Sequence, residues 1–226
     1  LVLSQTQVKA NEGYVLLATK QGKVKKTTLT QYSNIKSNGL IAIDLTDNDR
    51  LVKAYTTSGK DHVLLITREG KSIRFSEKDI RPTGRDTQGV KGLRIAKDDE
   101  VIAMFAFEEE ERKPDDKRRK YFREMLVVAE KGIGKRTPLV EYPLQRRGGQ
   151  GVKVAQLSAK TGRVAAALMV DQEDEFGIIT TTRAQVIKLP LKNIPVLKRP
   201  TQGVILIRMA SKEDSVAAVA TIAREE

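Results

Sequence analysis

The sequence predicts an all-β, propeller-like fold built from four copies of a unit of about fifty residues. Three observations predict it. A short apolar run, a tight turn and a basic run recur four times along the chain. Two further anchors, a glycine and an apolar pair that follows an acidic turn, move in step with that pattern. The runs are four to seven residues long and rich in Val, Ile, Leu and Thr, as strands bounded by turns require.

The first copy runs from Tyr14 to Lys26, the second from His62 to Arg74, the third from Leu126 to Arg136 and the fourth from Gly177 to Lys188. Their turn positions are Gly22, Gly70, Gly132 and Ala184, at spacings of 48, 62 and 52 residues. The second anchor is Gly39, Gly89, Gly151 and Gly203, at spacings of 50, 62 and 52. It stands 17, 19, 19 and 19 residues after the turn. The third anchor is Leu51-Val52, Val101-Ile102, Val164-Ala165 and Val216-Ala217. This places repeats over residues 10–60, 61–108, 125–174 and 175–226 of one β domain, residues 1–226, with roughly sixteen strands and no helix needed to bury them.

Within each repeat the elements differ. Val15–Thr19 and Val63–Thr67 are continuous apolar runs, expected of strands buried on both faces. Lys23–Leu29 reads as half exposed, with its charges available to solvent. Gln21-Gly22 and Glu69-Gly70 suit hairpins, because glycine tolerates positive φ. Arg183-Ala184 lacks that glycine, so its hairpin is expected to use another turn type. Residues 109–124 delay the third repeat. Their acidic and basic blocks read as a solvated loop, with Lys117–Lys120 as a candidate phosphate-binding arm.

Composition narrows the function. The chain has 226 residues, 41 Lys and Arg against 29 Asp and Glu, a net charge of +12 and a pI near 9.8. Such a balance favours a polyanion, nucleic acid before an anionic membrane surface. No basic amphipathic stretch supports the membrane reading, and no apolar run approaches the roughly 20 residues of a bilayer span. Zero cysteines exclude disulfides and thiolate metal sites, and a single histidine, His62, excludes a multi-histidine centre. With no secretory signal visible, the expected location is the cytoplasm. His62 reads as a strand-edge residue, and Asp98-Asp99 and Asp171/Asp174 read as turn residues bonding local backbone. No Mg²⁺ constellation is visible, and Gly148-Gly149 is not followed by the Gly-Lys-Ser/Thr of a phosphate loop.

The segment before each second-anchor glycine is the most distinctive. It reads Gln145-Arg-Arg-Gly-Gly-Gln-Gly151 in the third copy and Thr83-Gly-Arg-Asp-Thr-Gln-Gly89 in the second. The fourth copy has Leu197-Lys-Arg-Pro-Thr-Gln-Gly203, and the first a degenerate Ser33-Asn-Ile-Lys-Ser-Asn-Gly39. Glycines let backbone approach a phosphate, and arginine donates two parallel hydrogen bonds to one. No base-reading element accompanies the motif, so contacts would be to the DNA backbone and largely independent of sequence. The candidate contacts are Gln145, Arg146, Arg147, Gly148, Gly149, Gln150 and Gly151 of this box, together with Arg85, Lys198 and Arg199 of its counterparts. The basic runs and the residues after the glycines add Lys23, Lys25, Lys26, Lys71, Arg74, Lys91, Lys135, Arg136, Lys153 and Lys188.

The Gln145–Gly151 heptad resembles the GyrA-box, Gln-Arg-Arg-Gly-Gly-Lys/Arg-Gly, of the C-terminal domain of the DNA gyrase A subunit, matching it at six of seven positions. Gln150 stands where that family has a basic residue. Gly134–Pro143, Asp86–Arg94 and Thr201–Arg208 are also similar to that domain's later blades, and the resemblance covers the chain from Tyr14 to Ala220. It implies a β-pinwheel, whose four-stranded blades exchange a strand with their neighbours, and a function of wrapping double-stranded DNA around a basic rim for supercoiling. The chemistry would lie elsewhere in the topoisomerase: the cleaving tyrosine in the N-terminal part of the same A subunit, and ATP in the B subunit of an A2B2 holoenzyme. The resemblance implies no cofactor in this fragment, with ATP and Mg in the rest of the enzyme, no membrane partner, and a bacterial-type, nucleoid-associated location. The family disc has more blades than the four repeats legible here, and its best box sits in its first blade, so this chain reads as lacking earlier blades. The alternatives are the C-terminal domain of topoisomerase IV and a propeller acting as a protein-interaction scaffold.

Overall fold

The computed structural model describes residues 12–223 apart from residues 36, 109–122 and 172. The candidate arm Lys117–Lys120 lies outside the described residues, as does most of the 109–124 insertion.

The described residues form an all-β architecture, as the repeats predict. In the first repeat, β1 (Tyr14–Thr19) and β2 (Lys23–Thr28) make a hairpin, and β3 (Leu51–Thr57) pairs with β1. The second repeat gives β4 (His62–Thr67), β5 (Lys71–Ser76), β6 (Val90–Lys91) and β7 (Val101–Phe107). The third gives β8 (Glu124–Ala129), β9 (Ile133–Pro138), β10 (Val152–Lys153) and β11 (Val164–Val170). The fourth gives β12 (Asp174–Thr181), β13 (Val186–Pro190), β14 (Val204–Ile205) and β15 (Val216–Ala223). Single 3-10 turns follow β2, β5, β9 and β13.

Sheet order shows strand exchange. The sheets read β3-β1-β2-β6, β10-β5-β4-β7, β11-β8-β9-β14 and β13-β12-β15. Each of the two-residue strands β6, β10 and β14 thus completes the sheet of the preceding repeat. Close backbone approach explains the glycine before β6 and before β14. A Cβ on Gly89 would stand 2.5 Å from the Val24 carbonyl oxygen, and one on Gly203 would stand 2.6 Å from that of Gly134. Both glycines also have positive φ, so no other residue fits without moving backbone. The hairpin-turn glycine accepts the returning chain: Leu93 N–H bonds the Gly22 carbonyl, Val154 N–H that of Gly70 and Ile207 N–H that of Gly132.

The four hairpins share one turn. The amides of Gly22, Gly70, Gly132 and Ala184 donate to the carbonyls of Thr19, Thr67, Ala129 and Thr181. The expectation of a different turn type at Ala184 is therefore corrected. Ala184 takes the same left-handed conformation, with φ of 61°, and the Thr181 hydroxyl accepts the Gln185 N–H as the Thr19 hydroxyl accepts that of Lys23.

The chain divides into two compact units, each with its own core. The first comprises Leu1–Leu65, Ile73–Glu110 and Leu144–Gly151, the second Ile66–Ser72, Glu111–Pro143 and Val152–Glu226. Leu16, Val24, Leu65, Phe75, Leu93 and Met104 lie in the core of the first, and Leu126, Val170, Ile179, Leu191, Ile207 and Val216 in that of the second. The turn carboxylates bond local backbone as read from the sequence: Asp99 accepts from Glu100 N–H, and Asp174 from Asp171 N–H.

Candidate nucleic-acid interface

The box loops lie between the 3-10 turn and the exchanged strand of each repeat. Their second basic position, four residues before the glycine, is occupied by Arg85, Arg147 and Arg199. In each loop this arginine is bonded to backbone of the preceding repeat. Arg147 donates from Nε to the Asp79 carbonyl at 3.2 Å and from Nη1 to that of Lys91 at 2.5 Å. Arg199 donates from Nε to the Glu141 carbonyl at 2.5 Å and from Nη1 to that of Lys153 at 2.6 Å. Arg85 donates from Nη1 to the Ile41 carbonyl at 3.0 Å, and its own N–H bonds the Gln31 side chain. Asp79 and Glu141 each end a 3-10 turn, while Ile41, Lys91 and Lys153 each stand two residues after a second-anchor glycine.

Below the loops lie lysines that the sequence read as solvent-facing. Lys25 and Lys135 are each 1% exposed, Lys26 is 4% and Arg136 9%, so the half-exposed reading of the basic strand is corrected. The physical reason is that the incoming loop and exchanged strand cover β2 and β9, and loop carbonyls receive the charges. Lys25 Nζ donates to the Arg85 carbonyl and to that of Ala42 at 2.8 Å. Lys135 Nζ donates to the carbonyls of Arg199 and Lys198 and to the Thr201 hydroxyl. At the same position β5 carries Ile73, whose side chain lies beneath Gly149.

The next position along these strands, Lys26, Arg74, Arg136 and Lys188, reaches diagonally across the hairpin. Lys26 stands over the Tyr14 ring and Lys188 over that of Phe176, 4.8 and 4.0 Å from the centroids. Arg136 pairs with Glu124 at 2.6 Å. Arg74 donates to Nδ1 of His62, which assigns the histidine proton to Nε2, and stands 5.3 Å from the Phe107 centroid. His62 itself starts β4 and is buried, edge-on to Phe107, in accord with its structural reading.

The candidate contacts thus fall into two groups. Lys25, Lys26, Arg74, Arg85, Lys135, Arg136, Arg147 and Arg199 bind protein groups. Lys91, Arg146, Gln150, Lys153, Lys188 and Lys198 are exposed, and Lys23, Lys71, Gln145, Gly148, Gly149 and Gly151 are half-buried. Lys23 is bonded to the Gln88 side chain. Two exposed arginines escaped the sequence reading. Arg94 and Arg208 each stand five residues after a second-anchor glycine, a position that aligning the repeats would have revealed. Among the described residues no group of three or more His, Cys, Asp or Glu could hold a metal, and no helix is long and apolar enough to cross a membrane.

Burial pulls Lys25 and Lys135 down to about 8 from 10.5. For Lys135 the facing Arg199 pulls in the same direction. For Lys25, Asp86 and Asp44 resist the fall and Arg85 assists it. The sign of the linkage follows. Below pH ~8 both folded and unfolded chains carry the charge, and the cost of burying it is fully present. Between about pH 8 and 10.5 the unfolded chain binds protons that the folded chain has released, so stability rises with pH. Wild type should therefore gain melting temperature relative to Lys135→Met as pH rises from 7.5 to 10.5. A difference that does not change across a pH series would refute this account.

Comparison with known proteins agrees with the fold. The model of the family "DNA gyrase C-terminal domain, beta-propeller" matches residues 13–58, 61–108, 123–171 and 178–223. The chain is 38% identical over 216 residues to the DNA gyrase A subunit of Deinococcus deserti, covering 95% of this chain and 25% of that protein. It is 38% identical over 202 residues to the DNA gyrase A subunit of Salmonella typhimurium, covering 89% and 22%. It therefore spans about a quarter of the length of these curated relatives. Two solved structures share the fold. The C-terminal domain of DNA topoisomerase IV aligns with a TM-score of 0.81 at 22% identity, over 94% of this chain and 62% of that one. The DNA gyrase A C-terminal domain aligns with 0.75 at 24% identity, over 93% and 66%. With its four repeats each matched in turn, the chain belongs to the DNA gyrase C-terminal domain family of β-propellers.

Proposed function

We propose that this domain binds and wraps duplex DNA without reading its sequence, as the wrapping part of a gyrase that introduces negative supercoils. The observation that carries the reading is the recurrence of exposed cations at equivalent positions, Arg146 with Lys198 in the box loops and Lys91 with Lys153 on the exchanged strands. Repeated cations on repeated units suit a polymer of repeated phosphates. Bending 20 to 30 base pairs by 40 to 90° costs on the order of 1 to 6 kcal/mol, and distributed phosphate contacts offset it without base readout. On this reading strand cleavage belongs to the N-terminal part of the gyrase A protein, and ATP hydrolysis, with its Mg, to the gyrase B protein. The domain itself contributes no catalytic group and needs no cofactor.

The test is titration of a mixed-sequence duplex over a salt series. Neutralising six to ten phosphates gives a log-log slope of roughly −5 to −9, whatever the sequence of the duplex. A flat salt response would instead favour a protein-interaction scaffold.

A further inference from the structure

We propose that Arg147 and Arg199 act as clips, not phosphate ligands, and that each creates a composite phosphodiester site from two cations of successive repeats: Lys91 with Arg146, and Lys153 with Lys198. The proposal rests on the duplex-binding reading above.

The same two donors, Nε and Nη1, meet the same two classes of carbonyl in loops of different sequence, Arg-Gly-Gly and Arg-Pro-Thr. A planar guanidinium can bridge two such carbonyls, and an ammonium cannot reproduce that fork. One of the two carbonyls belongs each time to an exposed lysine, Lys91 or Lys153. The residue before the clip, Arg146 or Lys198, is an exposed cation, and no hydrogen bond holds the guanidinium of Arg146 among the described residues. The clip therefore fixes the backbone of one exposed cation beside that of another. Backbone bonds join the same junctions: Gly148 N–H to the Gly92 carbonyl at 2.7 Å, Arg94 N–H to that of Gly149 at 2.9 Å and Gln156 N–H to that of Thr201 at 3.0 Å.

The first junction supplies an internal control. Arg85 keeps its bond to the Ile41 carbonyl, and Asp44 N–H keeps its bond to that of Thr87. Yet Ile41 stands where the lysines stand, and Gly84 precedes the arginine. One arm of the clip, the bond from Nη1 to the carbonyl two residues after the glycine, persists where both cations are missing, so that arm serves the junction and not phosphate.

Four substitutions in the full 226-residue chain separate the roles: Arg147→Lys, Arg85→Lys, Lys91→Ala and Arg146→Ala. Amide hydrogen exchange without DNA reads the junction, with the buried Leu64 and Leu65 amides as reference for global opening. Duplex titration over a salt series reads phosphate binding. Arg147→Lys keeps the charge but should lose roughly tenfold or more of the protection at Gly148 and Arg94, with a comparable fall in duplex affinity. Arg85→Lys should lose protection at Asp44 with affinity within twofold of wild type. Lys91→Ala and Arg146→Ala should leave protection unchanged and each lower the salt slope by about 0.9. Wild-type protection and affinity in Arg147→Lys would overturn the proposal. If the unsubstituted chain binds no duplex, the wrapping reading fails, and the exchange data alone judge the clip.

Discussion

Replacing Glu77 with alanine is expected to cost about 3 to 5 kcal/mol of stability, the range for removing one partner from a buried ion pair. Glu77 is 0% exposed. Its carboxylate accepts from the Thr57 hydroxyl at 2.7 Å and from Asp61 N–H at 2.8 Å, and stands 3.9 Å from Lys26 Nζ. Lys26 also donates to the Glu77 carbonyl at 2.8 Å. Burial already lowers the Lys26 pKa, and Glu77 is the group that resists the fall. Removing the carboxylate leaves the Lys26 ammonium without its counter-charge and the Thr57 hydroxyl and Asp61 amide without their acceptor, and each such loss in a buried site costs in its own right. At roughly 2 to 4 °C per kcal/mol for a chain of this size, calorimetry should register a loss of at least ~6 °C. Replacing both partners, Glu77→Leu with Lys26→Met, should cost less than Glu77→Ala alone, because the uncompensated charge goes with its partner. A loss below about 1 kcal/mol for Glu77→Ala would show that water or another donor relieves the site.

The second large effect is expected on DNA. Changing Lys91, Arg146, Lys153 and Lys198 together to alanine should lower the magnitude of the salt slope by about 3.6, at ~0.9 per phosphate contact. Affinity near 0.1 M salt should fall on the order of a hundredfold or more. Lys60, Lys97, Lys160 and Lys212, also exposed, form the control. Changing those four removes the same charge from positions outside the box loops and the exchanged strands. If both quadruple variants weaken binding alike, only net charge matters and the loop assignment is wrong.

The architecture was legible because it repeats. Gly22, Gly70 and Gly132 mark hairpins, and Gly89, Gly151 and Gly203 mark the entry to exchanged strands, both through backbone conformations that glycine adopts easily. The turn at Ala184 was not legible, because an alanine held at φ of 61° leaves no trace in composition; its neighbours enforce the turn. The burial of the Lys23–Thr28 strand was hidden for a related reason. A run of lysines looks solvated, and the carbonyls that receive Lys25 and Lys26 lie 17 to 60 residues away in sequence. The box arginines show what alignment of the repeats adds. The position four before the glycine is arginine in three copies, Arg85, Arg147 and Arg199, while the one before it is Gly84, Arg146 or Lys198. The fixed position bonds backbone and belongs to the fold. The variable one is exposed where it is Arg146 or Lys198.

Wrapping is the central claim, and DNA topology tests it most directly. Closed circular plasmid is relaxed by a nicking-closing enzyme in the presence of increasing amounts of this chain, then deproteinised and resolved by linking number. Wrapping predicts a shift of the topoisomer distribution in one direction, growing in proportion to the bound chain. A distribution that stays unshifted at saturating occupancy would mean that the loops hold DNA without wrapping it.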